Sequence, residues 1–329
     1  MTHPSDLLKN ALPWLMALAC ALFSTGCITV DVGGGGRVKM HESIVQGEDG
    51  PKILLLDIDG EITDSDASGV LGWVLSEGTV ARVQDELTLA DQSGDIAAIL
   101  LRIDSPGGSP TASDSIYRLL DQYKKKHGIP VYAQYLSMAA SGGYYLSMAA
   151  DHIVATPTTI TGSIGVVMFG VNFSGLMNKV GVSNLTITSG PFKDAGSWLR
   201  PMEPAERAQL QSVVDDLYDQ FLTVVDAGRP QLKPERIREL ADGRIYSAQQ
   251  AKKNGLIDEI GYLEGTIQSI QKRLGAQEVR VVNYSRKRNP PSNIYARTSV
   301  TAPIEIEPDV TARVLPRAGF YYLWWPASP

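Results

Sequence analysis

Ile96-Ala-Ala-Ile-Leu-Leu-Arg-Ile103 runs directly into Asp104-Ser-Pro-Gly-Gly-Ser109, and these two segments decide the fold. The first is a nearly continuous apolar run of strand length, which is typical of a strand buried on both faces of a parallel sheet. The second is a turn sequence with paired glycines. A buried strand followed by a turn and a helix is the repeating unit of an α/β fold.

Similar apolar runs lie on both sides of this strand. Lys52–Ile58 and Val131–Tyr135 predict two further buried strands. Shorter strands are predicted at His152–Ala155 and Ile164–Met168, and helices at residues 80–90 and 111–126. Strand and helix in alternation predict a mostly parallel β-sheet with crossover helices.

Beyond a last strand predicted at Leu185–Thr188, the pattern becomes helical. Apolar residues recur at helical spacing in Pro204–Val225, and helices are also predicted at residues 234–241, 248–254 and 263–274. From residue 276 onward periodicity is weak, so we expect an extended tail over residues 276–329.

Two glycine pairs follow successive predicted strands, Gly107-Gly108 and Gly142-Gly143. One pair alone is most simply a tight turn. Two pairs at equivalent strand ends have a further meaning, because the carboxyl ends of parallel strands line the binding crevice of an α/β sheet. Glycine amides that converge there can form an oxyanion hole.

Ser141 precedes the second pair, at the predicted start of a helix, and is a candidate nucleophile as well as an ordinary helix-capping residue. A serine nucleophile needs a base. The histidines are poorly placed for that role; they are His3, His41, His127 and His152. A lysine can replace histidine when it is held neutral. Lys193 lies in the turn-rich loop Ser189–Gly196 and is the candidate.

Four blocks together resemble the signature of the signal peptide peptidase A (SppA) family. They are Ile103-Asp-Ser-Pro-Gly-Gly108, Met138-Ala-Ala-Ser-Gly-Gly-Tyr-Tyr145, Thr161-Gly-Ser-Ile-Gly-Val166 and Gly190-Pro-Phe-Lys-Asp-Ala-Gly196. Each block is weak evidence alone, but the four occur in the family's order. The resemblance extends from about Ile53 to Ile267.

The resemblance implies a ClpP/crotonase-like fold and a serine endopeptidase that degrades signal-peptide remnants and other membrane-associated polypeptides. By the same motifs, Ser141 is the nucleophile, Lys193 the general base, and the amides of Gly108 and Gly142 the oxyanion donors. Ser163 competes for the nucleophile's role, since it also lies between glycines, but the family pattern makes it a supporting residue near Lys193. No cofactor or metal is implied.

The family also implies assembly. Members of this length resemble subunits of a homo-oligomeric ring, in which the serine and the lysine come from neighbouring protomers. The residues alone indicate none of this, so the ring and the shared dyad are expectations from the resemblance.

The N-terminus reads as a targeting segment. An apolar run from Ala11 to Phe23, roughly 13 residues, is shorter than the roughly 20 of a spanning helix and fits a signal-peptide core. Ser24-Thr25-Gly26-Cys27 resembles a bacterial lipobox, which would make Cys27 the lipidation site, although lipoboxes usually carry leucine where Ser24 stands. A signal anchor is the alternative. Either way, we expect a membrane-anchored protein of the bacterial cell envelope whose body works outside the cytoplasm.

The predicted organisation is a targeting segment at residues 1–27, a flexible tether at 28–50, a protease domain at 51–275 and the tail. Both cysteines, Cys20 and Cys27, lie in the first segment, which excludes a disulfide framework or a cysteine-rich zinc site in the body. The net charge of −6, without a long basic run, argues against nucleic acid as a partner.

Six aromatic or apolar residues close the tail, Phe320 to Trp325. Side chains of this size are not left in water without reason. We expect them in the substrate cleft or on a neighbouring subunit rather than at the membrane interface.

Two other functions remain open from the sequence. A crotonase-like acyl-CoA enzyme would use similar oxyanion amides, but a secretory signal argues against it because coenzyme A is cytoplasmic. A catalytically silent membrane scaffold would not need both Ser141 and Lys193.

Overall fold

The computed structural model describes residues 39–65, 67–68, 74–286, 292–296 and 319–324. The strands are β1 His41–Gln46, β2 Lys52–Ile62, β3 Ala67–Ser68, β4 Val74–Ser76, β5 Ile96–Gly108, β6 Val131–Ala140, β7 His152–Ala155, β8 Ile160–Gly162, β9 Val167–Phe169, β10 Ile245–Ser247, β11 Glu259–Ile260, β12 Arg280–Ser285 and β13 Gly319–Leu323. The helices are α1 Thr79–Ser93, α2 Pro110–His127, α3 Gly142–Ser147, α4 Ser174–Val180, α5 Pro204–Gly228, α6 Pro234–Leu240, α7 Ala248–Lys253 and α8 Leu263–Leu274. The targeting segment, Cys20 and Cys27 lie outside the described residues.

One large sheet organises the described chain. Its central order is β1-β12-β2-β5-β6-β7-β11, with β8, β9, β10 and β13 attached beside it. The pairs β12–β2, β2–β5, β5–β6, β6–β7, β6–β8 and β7–β11 are parallel. The sequence prediction of a mostly parallel sheet with crossover helices is confirmed.

Both faces of the central strands are buried, as their apolar runs predict. Along β2, Leu54 and Leu56 face one core with helices α1 and α2, whereas Ile53 and Leu55 face a second core with α8. Alternate residues of a strand point to opposite faces, so a strand covered on both sides needs apolar residues throughout.

The carboxyl ends of β5 and β6 meet at one edge of the sheet. The two strands are parallel neighbours, and their paired residues include Ser105 and Ala139. Helix α2 leaves β5 at once, because the Ser109 side chain accepts a hydrogen bond from the Ala112 N–H and Pro110 occupies the first helical turn. This edge holds both glycine pairs.

Two predicted strands are wrong. The predicted strand Ile164–Met168 overlaps only the first two residues of β9, because the chain bends between Ser163 and Val166. Leu185–Thr188 forms no strand. Its alternating apolar residues suggest a buried face, but Leu185 is 87% and Ile187 96% exposed, so no neighbouring strand or helix of the described chain covers them.

The sheet extends beyond the predicted domain limits. Strand β12 pairs with β2 in parallel and with β1 in antiparallel fashion. Residues expected in the tether and in the tail therefore belong to the sheet. The short β12 carries Asn283, whose amide donates to the Leu55 carbonyl, and such a mixed pattern is hard to recognise as a strand.

Candidate active site

Ser141 stands between the end of β6 and the start of α3. Its N–H donates to the Gly162 carbonyl at 2.8 Å, and its own carbonyl accepts the Tyr145 N–H at 2.8 Å. The residue is 1% exposed. Its side chain makes no capping hydrogen bond to α3, so the simple capping role considered from the sequence does not apply.

The backbone at Ser141 is strained. Ser141 at φ +51° and Ser163 at φ +49° are the non-glycine residues of the described chain with positive φ. This region costs a non-glycine residue about 1–3 kcal/mol, and such strain is concentrated at functional sites. Both serines chosen from the sequence thus occupy sharp turns that present them at the edge of the sheet.

The hydroxyl of Ser141 is buried and unpaired. Among the described residues, the buried side-chain atoms without a hydrogen-bond partner are Glu86 Oε2, Ser141 Oγ and Arg229 Nε. An unsatisfied buried hydroxyl costs about 1–3 kcal/mol, so folded chains rarely keep one without a use. A nucleophile that awaits its substrate and base is such a use.

The two glycine pairs converge beside this serine. A Cβ added to Gly142 would lie 3.2 Å from the Gly108 nitrogen, and one added to Gly107 would lie 2.7 Å from the Gly142 nitrogen. Gly107 also has φ +103°, which side chains rarely adopt. The Gly108 amide therefore lies close to Gly142, as the oxyanion role predicted for these two amides requires.

Two serines that the sequence did not single out support this turn. Ser105 Oγ accepts the Gly107 N–H at 3.1 Å and donates to the Gly60 carbonyl at 2.6 Å. Ser113 Oγ donates to the Ser109 carbonyl and would lie 2.4 Å from a Cβ on Gly142. Ser105 is part of the Asp-Ser-Pro-Gly-Gly block, which was its only sequence signal, whereas Ser113 had none.

Ser163 follows the Gly162 carbonyl that receives the Ser141 amide. Its N–H donates to the Arg244 carbonyl at 2.8 Å, and it lines a cleft of about 590 Å³ together with Tyr321 and Leu323. The two candidate serines are therefore neighbours at one edge of the sheet. Neither is joined to Lys193 by a hydrogen bond that the structure records.

Lys193 lies in the loop between α4 and α5. It is exposed, in a turn where its N–H donates to the Gly190 carbonyl at 3.1 Å. Since Ser141 Oγ has no partner among the described residues, Lys193 Nζ is not hydrogen-bonded to it. In the described chain the candidate nucleophile Ser141 lies beside the two glycine pairs, and its hydroxyl makes no hydrogen bond to the candidate base Lys193.

An ion-pair clamp holds the loop that carries Lys193. Arg200 binds the adjacent Asp194 at 2.7 Å and also binds Glu206, in the first turn of α5. Hydrogen bonds from Arg200 lower the pKa of both carboxyl groups. Both acids are therefore ionised at neutral pH, and the clamp fixes the loop to α5. Sequence reasoning missed Arg200.

No histidine in the described part of the chain is hydrogen-bonded to Ser141 Oγ. His127 instead pairs with Asp91 at 2.8 Å, and His152 pairs with Glu259 at 3.2 Å. In the described parts of the chain, no group of three His, Cys, Asp or Glu could hold a metal ion. No helix in those parts is long and apolar enough to span a membrane.

A strand from the end of the chain lies against the glycine turn. In β13, Tyr322 pairs with Gly108 and Leu323 with Gly107, in antiparallel fashion. The Trp324 N–H donates to the Pro106 carbonyl at 2.8 Å. The terminal aromatic segment is thus in the chain's own cleft, one of the destinations expected from the sequence.

Comparison with known proteins shows the family of this chain. The model of peptidase family S49 matches residues 123–277, and the Clp protease model matches residues 69–161. A putative signal peptide peptidase SppA of Enterococcus faecium is 36% identical over 250 residues, which cover 76% of this chain and 72% of that protein. The chain belongs to peptidase family S49.

Further similarities are to a second curated protein and to a solved structure. A putative protease of Synechocystis is 48% identical over 164 residues, which cover 50% of this chain and 58% of that protein. A solved structure of a membrane-bound stomatin-specific protease with a substrate peptide covers 66% of this chain and 79% of that chain, with 19% identity and a TM-score of 0.42.

Membership of family S49 confirms the sequence interpretation of the protein as a serine peptidase with a ClpP-like α/β fold. Neither the acyl-CoA enzyme nor the silent scaffold is favoured. The resemblance on which the prediction rested lay in the four blocks around Gly108, Ser141, Ser163 and Lys193.

Proposed function

We propose that this S49 peptidase cleaves peptide bonds with Ser141 as nucleophile and Lys193 as general base, and that its substrates are signal-peptide remnants and other membrane-associated polypeptides. The observation that carries the proposal is the buried, unpaired Ser141 hydroxyl, held at positive φ beside two converging glycine pairs.

In the first half-reaction, Ser141 Oγ attacks the scissile carbonyl carbon as its proton passes to the neutral amine of Lys193. The carbonyl oxygen becomes an oxyanion that accepts hydrogen bonds from the Gly108 and Gly142 amides. Breakage of the C–N bond releases the amine, which takes the proton from Lys193. Water then attacks the acyl-enzyme ester by the same route and frees Ser141. Ser163 supports the lysine.

The base comes from a neighbouring protomer in a homo-oligomeric ring. In support, Ser141 Oγ has no hydrogen-bond partner among the described residues, and the region between β9 and α5 exposes large apolar side chains. Leu185, Ile187 and Trp198 are 87%, 96% and 59% exposed. Exposed apolar residues of this extent mark protein contacts, and a head-to-tail contact that closes forms a ring.

Mixing two inactive variants tests the shared dyad. Ser141→Ala and Lys193→Ala protomers are dissociated, mixed in equal amounts and reassembled. If neighbours share the dyad, random assortment restores about a quarter of the wild-type activity, because each site needs one intact serine and one intact lysine. Recovery of no activity, with reassembly verified by light scattering, contradicts sharing.

We further propose that lipidation of Cys27 anchors the protein in the bacterial cell envelope, with its body outside the cytoplasm. Support comes from the lipobox-like Ser24–Cys27 that follows a short apolar run. Cys27→Ser should abolish lipid incorporation and release the protein from the membrane fraction, whereas the control Cys20→Ser should do neither. Lipid incorporation that persists in Cys27→Ser refutes the assignment.

A further inference from the structure

The end of the described chain lies between two strand edges. On one side, β13 pairs with the glycine end of β5, and on the other it pairs with β9 through Gly319–Phe169, Phe320–Met168 and Tyr321–Val167. Among the described strands, β9 has no other partner. Without β13, two strand edges would face one another across a groove, and such edges bind extended peptides.

This groove passes directly over the catalytic glycines. A Cβ on Gly107 would lie 2.0 Å from the Tyr322 carbonyl oxygen and 2.7 Å from the Gly142 nitrogen. The backbone of the tail therefore runs beside the amides that serve the oxyanion. Ser141, which directly precedes Gly142 in the chain, is only 1% exposed. A substrate that bound along the same edge of β5 would have to displace this segment.

The side chain of Tyr322 fills a pocket of matching chemistry. It is 1% exposed, and its ring lies 5.2 Å from that of Tyr145 and 4.8 Å from that of Phe221, between centroids. Its hydroxyl donates to the Leu217 carbonyl at 2.6 Å. The pocket thus combines aromatic walls with a hydrogen-bond acceptor for a phenol.

From these contacts we propose that Gly319–Trp324 is an intramolecular competitor in the peptide-binding groove, and that the pocket around Tyr322 selects substrates with an aromatic side chain, tyrosine above all. The inference rests on the proposed peptidase function of Ser141. A tethered segment has an effective concentration on the order of millimolar, so it competes even when its intrinsic affinity is modest.

The test compares three chains: one truncated after Arg317, the full-length Tyr322→Ala variant, which needs no deletion, and the control Tyr295→Ala. Tyr295 is half-exposed; its hydroxyl donates to Glu264 Oε2, and its backbone N–H, which the substitution keeps, donates to Asn293 Oδ1. The substrate is a fluorogenic apolar peptide containing tyrosine. We expect KM to fall by about tenfold in the first two chains, with kcat unchanged, and to stay unchanged in Tyr295→Ala.

A synthetic peptide of residues 319–324 provides the second measurement. It should bind the truncated chain in fluorescence anisotropy and inhibit it competitively. The same peptide with alanine in place of Tyr322 should bind about tenfold more weakly, because it loses the ring contacts and the phenol hydrogen bond. Tight binding by both peptides would overturn the assignment of the pocket.

Failure of this proposal differs from failure of the proposed function. If the truncated and Tyr322→Ala chains hydrolyse the substrate with the KM of the full-length chain, and peptide 319–324 does not compete, the tail is not a competitor although the peptidase assignment stands. If the truncated chain binds the peptide but no chain hydrolyses any substrate, the groove is supported and the peptidase assignment fails.

Discussion

Tyr322 stacks on Tyr145 with ring centroids 5.2 Å apart, one helical turn beyond Ser141. The Tyr145 N–H in turn donates to the Ser141 carbonyl. The residue that fills the groove therefore contacts the same helix that begins at the nucleophile. Because departure of Tyr322 would expose Tyr145 and Phe221, an apolar substrate side chain gains the contacts that the tail gives up.

Ser141 and Lys193 should act as one unit. Ser141→Ala, Lys193→Ala and the double variant should each lose kcat/KM by about 10³-fold or more, and by similar amounts, since members of a catalytic unit are not additive. Ser163→Ala should lose less, in keeping with a supporting role. Steady-state peptide hydrolysis measures all four, and near-normal turnover in Lys193→Ala would exclude it as the base.

Peptidase activity, measured as kcat/KM, should rise with pH. A lysine accepts a proton only in its neutral form, so kcat/KM should increase with pH as the base is deprotonated. The measurement is peptide hydrolysis from acid to alkaline pH, with stability of the fold checked across the same range. A flat profile argues against a lysine base.

The Arg200 clamp should matter for turnover. Arg200→Ala frees the loop of Lys193 from Glu206 and Asp194, so kcat should fall by about tenfold or more while the core sheet remains folded. Arg207→Ala is the matched control, since Arg207 is exposed on the same helix. Equal kcat in both variants would mean that the clamp does not position the lysine.

Gly142 tolerates no side chain. In Gly142→Ala the new Cβ would lie 2.4 Å from Ser113 Oγ and 3.2 Å from the Gly107 Cα, so the oxyanion turn must shift and kcat should fall by about 10²-fold or more. Gly265→Ala is the control, because nothing lies within 4 Å of its new Cβ. Because Gly265 lies in helix α8, its replacement by alanine should stabilise the protein by about 0.5–1 kcal/mol. Unchanged kcat in Gly142→Ala would contradict the assigned oxyanion turn.

Glu86 should make stability depend on pH. Burial raises its pKa from 4.5 to about 7, although its ion pair with Arg82 at 2.7 Å opposes the shift. The folded state holds this proton more tightly than the unfolded chain, so stability is full below the unfolded pKa and falls as pH rises through about 7.

Glu86→Gln removes this titration. Relative to wild type, its free energy of unfolding should gain about 3 kcal/mol between pH 4 and pH 8. Denaturant titrations at several pH values measure the difference, and Glu278→Gln, at an exposed site, should show no such trend. A pH-independent difference for Glu86→Gln would show that the carboxyl group does not titrate as described.

Much of the fold could be predicted from the sequence, because strands and helices leave local, repeating patterns of apolar residues. The apolar runs at Lys52–Ile58 and Ile96–Ile103 lie within β2 and β5, and the predicted helix at residues 111–126 is α2. The glycine pairs could be placed together because parallel strands end at the same edge of a sheet.

The structural features that the sequence did not predict depend on contacts with residues far away in the chain. Strand β13 pairs with two strand edges, and although its aromatic residues favour a strand, they do not indicate which edges it joins. The alternating pattern of Leu185 and Ile187 predicted a buried strand, but such a pattern does not show whether another element covers these residues, and both are exposed. Positive φ at Ser141, and the lack of a partner for its hydroxyl among the described residues, arise from the packed turn as a whole.

The most direct test of the central claim is to map the adduct of a fluorophosphonate probe by mass spectrometry in wild type and in Ser141→Ala. Wild type should carry a single adduct on Ser141, and Ser141→Ala should show neither an adduct nor peptide hydrolysis. An adduct on Ser163 instead, or undiminished hydrolysis by Ser141→Ala, would refute the assignment of Ser141 as nucleophile.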